Sequence, residues 1–279
     1  MHFAFPRVVG VDLASVAART GVVTLVWSGS AFDATLAEDA SDVGLIGLVD
    51  DETLVGVDAP LGWPEEFVRA IGDHARFLEW PATTAPEGSP EREHLRLRRT
   101  DRFVRELQLG STPLSVSSDL IGVVAMRAAL LQSAWSIAWG QREPRDGSGR
   151  LVETYPAAAL RAWGLLAAKG VRYKGGGTGD AVARQRHERQ RIIDEVTSQC
   201  AAWLKVAPSL RDAAIRSDHA LDALIWALVA LATKLDATSP PPLADRDVSR
   251  REGWIHVPSR PLIDLGELLL TTLSSRGAI

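Results

Sequence analysis

The chain has little of what several classes of protein depend on. Its 279 residues include a single cysteine, Cys200, so neither an intrachain disulfide nor a cysteine-rich zinc site can form, a usage that suits a reducing compartment. An excess of charge of one sign is also missing. With 31 basic and 35 acidic residues the net charge is −4, which leaves any phosphate-rich partner to a local patch. No apolar run is long enough for a bilayer: the longest, Ala223 to Ala232, is too short and follows Asp218 and Asp222. The opening MHFAFPRVVG lacks the charged, apolar and small-residue regions of a signal peptide. The glycine-rich YKGGGTGD at 173–180 lacks the Gly-Lys-Ser/Thr that closes a Walker loop. These absences predict a cytoplasmic protein with no membrane partner.

What is present is 46% hydrophobic residues, enough for a substantial core, and an alternation of strand-like and helix-like segments. Residues 7–13, 21–27 and 31–37 read as three consecutive antiparallel strands. Ser41 can cap a short helix through Val49, and Thr53 to Val57 reads as a fourth strand, ended by Pro60 and Gly62. The Pro- and Ser-rich stretch 80–92 reads as a surface loop. Leu95 to Leu107 reads as a basic helix or helix pair with Thr100 as a cap, and Ser118 to Trp139 as a long apolar helix. Leu151 to Tyr155 returns to strand character, Pro156 starts a helix, and Ala181 to Leu204 is a further helix. Ser217 to Leu235 is the clearest helix, with Ser217 as its cap, and Gly253 to Val257 reads as an edge strand. Three strands, a helix and a further strand open an α/β fold of the ribonuclease H type, a mixed five-stranded sheet flanked by helices. The expected organisation is one domain over 1–279, with a helical insertion around 63–145.

Two of these strands end in an aspartate: VVGVDLA places Asp12, and VGVDAP places Asp58, each after an apolar run. Ionised carboxylates are kept out of cores unless paired or bound to a cation. Glu153 lies in the fifth strand, and the last long helix begins Asp218-His219-Ala-Leu-Asp222. Asp218 and Asp222 are four apart and His219 and Asp222 three apart, so either pair shares a helical face and can clamp a cation. Clustered carboxylates of this kind suit Mg²⁺ or Mn²⁺, and a pair of such ions serves phosphodiester hydrolysis.

The pieces GVDLA, VGVDAPLG, RRTDRFVRELQLG, ETYPAAALRAWG, YKGGG, SDHALDALIWALVALA and EGWIHVP, in that order between residues 10 and 258, resemble the DUF429 family of predicted ribonuclease H-like nucleases. The resemblance implies the fold of ribonuclease H and of the RuvC resolvases with a metal-dependent phosphodiesterase site. On it, Asp12 matches the first-strand aspartate, Asp58 the fourth-strand acid and Asp222 the helical aspartate. His219 matches a position that is Asp in some resolvases and His in others. The fourth-strand acid is commonly Glu in resolvases, and Glu153 has no counterpart in the set. The expected catalytic residues are Asp12, Asp58, Glu153, His219 and Asp222. Metal would be held by Asp12, Asp58, Asp222 and Asp218, and nucleic-acid phosphates would be met by Arg99, Arg102, Arg105 and Lys174.

Each residue has a competing structural reading. Asp12 and Asp58 can serve turns, Glu153 can be a paired buried acid, and Asp218 can complement the helix dipole. His219 can be a solvated helix-start histidine, the arginines a solvated face and Lys174 a solubilising loop residue. At the level of function, the alternatives to a nuclease are a non-catalytic scaffold that retains the fold and an actin- or sugar-kinase-like phosphotransferase. The latter needs a duplicated domain, and the sequence contains no second copy.

Overall fold

Runs rich in valine, apolar on both faces, suit the centre of a sheet covered on both sides. RVVGVD and TLVGV form β1 (Arg7–Asp12) and β4 (Thr53–Val57), parallel neighbours in the register Val9 to Val55 and Gly10 to Gly56. The computed structural model describes residues 5–78, 80, 93–109, 113–166, 172–175 and 178–276. In it β2 (Gly21–Trp27) runs antiparallel to β1 and to β3 (Phe32–Leu36). β5 (Leu151–Glu153) lies parallel to β4, and β6 (Leu204–Val206) parallel to β3. The six-stranded mixed sheet has the order β5-β4-β1-β2-β3-β6.

Among the described residues the helices are α1 (Asp42–Gly47), α2 (Glu65–Ala75), α3 (Arg99–Glu106), α4 (Gly122–Ala138) and α5 (Pro156–Ala162), then α6 (Asp180–Gln199), α7 (Pro208–Arg216), α8 (Asp218–Lys234), α9 (Arg246–Glu252) and α10 (Leu265–Arg276). Strand side chains alternate between faces, so Val8, Val23 and Leu25 pack with α8 and with Ile192, Ile193 and Leu210 on one side. Val9, Val11, Val55 and Val57 pack on the other against Leu45 of α1 and Leu131 and Trp135 of α4. The result is a three-layer α/β/α arrangement. Its central helix α8 is buried all round from Ala220 to Ala232, which is why its apolar residues fill the whole circumference and not one stripe. No helix among the described residues is long and apolar enough to cross a membrane.

Several expected elements change at their ends. The sheet has six strands where five were expected, because the helix expected over 181–204 stops at Gln199 and Leu204 starts β6 at the free edge of β3. Three residues are too few to show a period. The edge strand expected over 253–257 is reduced to one parallel bridge, Glu153 to Ile255. The Ile255 N–H goes instead to the Thr100 hydroxyl, 2.7 Å away, so Thr100 does not cap α3 and Arg98 takes the cap position. The fifth strand ends at Glu153, short of Tyr155. Of the loop expected over 80–92, residues 81–92 lie outside the described residues. Ser41 caps α1 through its hydroxyl as expected, whereas Ser217 holds the cap position of α8 without a side-chain hydrogen bond.

The 253–257 segment carries a buried histidine whose titration should be visible in stability. His256 accepts from or donates to Thr238 Oγ1 at 2.9 Å through Nδ1 and meets the Asp146 carbonyl at 3.0 Å through Nε2. A carbonyl only accepts, so Nε2 carries the proton and the neutral ring is the form that fits. Burial, aided by nearby Lys234 and opposed by the Asp146 carbonyl, pushes its pKa down to about 4 from 6.5. Below pH 6.5 the unfolded chain therefore binds a proton that the native state does not. Stability present above pH 6.5 is lost as the pH falls towards 4, by an amount of the order of 3 kcal/mol at about 1.4 kcal/mol per pH unit. Urea unfolding of His256→Gln should show a flatter loss over that interval; equal slopes in the two proteins would assign the acid sensitivity elsewhere.

Candidate functional site

Period-two alternation puts Gly10 and Asp12 of β1 on one face, and Gly56 of β4 and Asp58 just past its end on the same face. The Asp58 N–H continues the ladder by donating to the Val11 carbonyl at 3.0 Å, which sets the two aspartates side by side at the ends of their strands. The glycines explain how a helix reaches them. A Cβ on Gly10 would run into the Ala223 carbonyl, one on Gly56 into the Trp226 carbonyl, and one on Gly21, opposite Asp12, into the His219 carbonyl. Backbone of α8 thus lies directly on the sheet, and its first turns deliver His219 and Asp222 to the strand-end acids. Gly10→Ala is expected to cost about 1–3 kcal/mol through overpacking and to displace Asp222 from Asp12. Gly47→Ala, where an added Cβ meets nothing, is the matched control in urea unfolding. Equal stabilities would refute the close approach.

At the site His219 Nδ1 lies 2.6 Å from Asp12 Oδ2. This bond is the largest influence on the imidazole and raises its pKa above 6.5. Asp222, 1% exposed, accepts from the Tyr173 hydroxyl at 2.9 Å and from Lys174 Nζ at 3.0 Å. Burial raises the Asp222 pKa to about 7 and Asp12 pushes it the same way, with Lys174 opposing. Asp58 is raised well above the ordinary carboxylate value, first by burial, then by Asp12; Asp222 adds to the rise and Lys174 opposes it. Each acid feels the others, and the ammonium of Lys174 sits among them as their counter-charge. Among the described residues no three of His, Cys, Asp and Glu stand ready as a cage for an ion.

Asp12, Asp58, His219, Asp222 and Lys174 are therefore brought together; Glu153 lies near enough to push up the Asp58 pKa but is committed elsewhere, and Asp218, Arg99, Arg102 and Arg105 make no hydrogen bond to the cluster. Glu153 ends β5 buried against Arg98, with Nη1 and Nη2 donating to its two oxygens at 2.8 and 2.7 Å and the Leu61 N–H to Oε2 at 3.1 Å. Its role as a paired buried acid is the one the geometry displays. Asp218 occupies the first turn of α8 and is partly exposed. Arg105 pairs with Glu93 at 2.8 Å, Arg102 donates to the Leu97 carbonyl at 3.1 Å, and Arg99 lies 3.9 Å from Asp245. None of the three makes a hydrogen bond to the acids of the site.

Two contributors were not anticipated. Tyr173 holds Asp222, and Arg189 of α6 is buried and donates to the Tyr173 carbonyl at 2.7 Å and to the Ile215 and Arg216 carbonyls at the end of α7. It ties the Tyr173-Lys174 segment to the helices that carry the site. A signal existed for Tyr173: the chain has only two tyrosines, 155 and 173, and the second precedes the lysine already singled out.

An α/β protein with aspartates at the ends of two parallel central strands and a third on the helix laid over them is the class that fold and site define. Within that class, the family described as "Protein of unknown function (DUF429)" matches residues 10–246, and the chain belongs to it. No curated protein and no solved structure matches the chain.

Proposed function

We propose that the protein is a Mg²⁺- or Mn²⁺-dependent phosphodiesterase of the ribonuclease H-like type that acts on nucleic acid. The observation that carries this reading is the convergence of Asp12, Asp58 and Asp222 around a single cationic side chain. The order of elements supports it: three antiparallel strands, a helix, then a parallel strand, with helices on both faces. The donor type suits a hard cation, although among the described residues the acids do not form a ready-made cage. Their donors are carboxylate oxygens, and Mg²⁺ is commonly held by one or two carboxylates with waters and substrate phosphates completing its shell. Asp12, Asp58 and Asp222 would hold the ion. When bound it supplies Lewis-acid stabilisation of phosphate charge and lowers the pKa of water.

The side chains of this chain do the rest. Asp12 orients His219 through Nδ1, which leaves Nε2 for proton transfer at the substrate. Lys174, released from Asp222 when another cation arrives, meets a phosphate oxygen as a point charge. A cation that binds only the native state should stabilise it by about 2.7 kcal/mol at roughly 100 times its Kd. The expected result is a rise in melting temperature with millimolar Mn²⁺ that Asp12→Asn and Asp222→Asn each abolish, together with Mn²⁺-dependent cleavage of oligonucleotides by the parent protein. No thermal shift and no heat of binding would refute the metal site.

A second reading, a non-catalytic scaffold, is favoured by one observation: Lys174 already neutralises Asp222. Mn²⁺ binding with no cleavage of single-stranded, duplex or branched DNA and RNA would select it.

A further inference from the structure

Beside the acids lies a cavity of about 230 Å³ that the phosphodiesterase chemistry does not use. Its walls are largely apolar, from Leu13, Pro60, Leu114, Ile121, Val124 and Ile255, and Tyr155 adds an aromatic ring. Charge is confined to particular places. Asp58 and Lys174, both part of the acid cluster, belong to the lining. Arg98 and Glu153 also reach it, but their polar atoms are spent on each other, on Asp101, on the Leu61 N–H and on the Glu252 carbonyl. One polar group is left over. Thr154, in the same wall and buried, has a hydroxyl with no hydrogen-bond partner among the described residues. A buried hydroxyl left unpaired is costly, and a ligand in the cavity can supply the partner that the described residues do not.

We propose that this cavity receives the base of one unpaired nucleotide, whose phosphate lies toward Lys174 and the acids. The inference rests on the phosphodiesterase reading for the position of the phosphate. A nucleobase is flat and apolar on both faces, with hydrogen-bonding groups only on its edge. Apolar walls, one tyrosine ring and one unsatisfied hydroxyl match those surfaces. The volume is below the span of about 300–1,000 Å³ of pockets that enclose drug-sized ligands, so one ring system fills it. A base stacked and paired within a duplex cannot enter, and one at a strand end, in a single strand or swung out of the stack can. The substrate class is therefore nucleic acid with an unpaired nucleotide at the cleaved position, and continuous duplex is a poor substrate.

The test is equilibrium binding of AMP and of ribose 5-phosphate to the full chain by titration calorimetry. Stacking of a base on protein side chains contributes about 1–3 kcal/mol, so AMP should bind at least about fivefold more tightly than ribose 5-phosphate. Ile121→Trp, which fills the cavity, should bring the two affinities together. Thr154→Val keeps the side-chain shape and guards against a misfolded tryptophan variant; it should weaken AMP by about fivefold, the worth of one hydrogen bond. Equal affinities for AMP and ribose 5-phosphate in the parent protein would overturn the proposal. So would equal cleavage rates on an abasic and an intact single strand, a result that leaves the phosphodiesterase reading standing. An AMP preference lost in Ile121→Trp, with no cleavage of any strand, would support the base pocket and sink the phosphodiesterase instead.

Discussion

Arg98→Ala is expected to remove about 3–5 kcal/mol of stability, a large part of what holds a domain of this size together. Arg98 is 2% exposed and stands between Asp101 at 0% and Glu153 at 2%. Its Nε and Nη2 donate to the two oxygens of Asp101, its Nη1 and Nη2 to Glu153, and Nη1 also to the Glu252 carbonyl. One side chain thus joins the start of α3, the end of β5 and the end of α9. Burial pushes the Glu153 pKa up and Arg98 opposes it, while the two acids hold the guanidinium charged. Truncation leaves two carboxylates in the core without a counter-charge, held only by the Leu61 and residue-98 backbone N–H groups, and that desolvation, more than the lost attraction, sets the size of the effect. The triple variant Arg98→Met, Asp101→Asn, Glu153→Gln, which removes the charges together, should be more stable than Arg98→Met alone. Urea unfolding of the parent and the three variants checks both statements; a loss below about 1 kcal/mol for Arg98→Ala would refute the uncompensated-charge account.

The second large effect concerns His219. If it transfers a proton during cleavage, His219→Ala should lower the Mn²⁺-dependent rate by about 10²- to 10⁴-fold, with little change in unfolding free energy, because the ring is partly exposed. Asp218, one residue earlier, makes no hydrogen bond to Asp12 or Asp222, and its value lies at the positive end of α8. Asp218→Asn should therefore cost at most about 0.3–1 kcal/mol of stability and leave turnover nearly intact. Rates measured on one fluorogenic single strand, beside unfolding curves for both variants, separate the two residues. Abolished activity in Asp218→Asn with an unaffected His219→Ala would transfer the role to Asp218 and make the hydrogen bond between His219 and Asp12 a structural one.

The aspartates at strand ends and the helix that carries Asp222 were legible because their signals are local. Val-Gly-Val-Asp and Val-Gly-Val-Asp-Ala-Pro mark buried strands interrupted at a charge, and period-two alternation already implies that each glycine shares a face with its aspartate. Helical spacing alone puts His219 or Asp218 on the side of Asp222. What those signals omit is distance across the chain. Nothing within Leu95 to Leu107 distinguishes Arg98, which is buried, from Arg102 and Arg105, which lie at the surface; the difference arises because Glu153, 55 residues away, ends β5 beneath the cap of α3. Tyr173 and Lys174 reach Asp222 across 49 and 48 residues, and only the packing of α6 through Arg189 holds that segment in place. Strand β6 escaped for a related reason, since three residues gain strand geometry from the edge of β3 and carry no pattern of their own. The sequence by itself determined the alternation, the Ser41 cap and the acids that need a partner. Tertiary structure alone decided which partner each received, because a buried charge is satisfied by whatever the packing brings within hydrogen-bond reach.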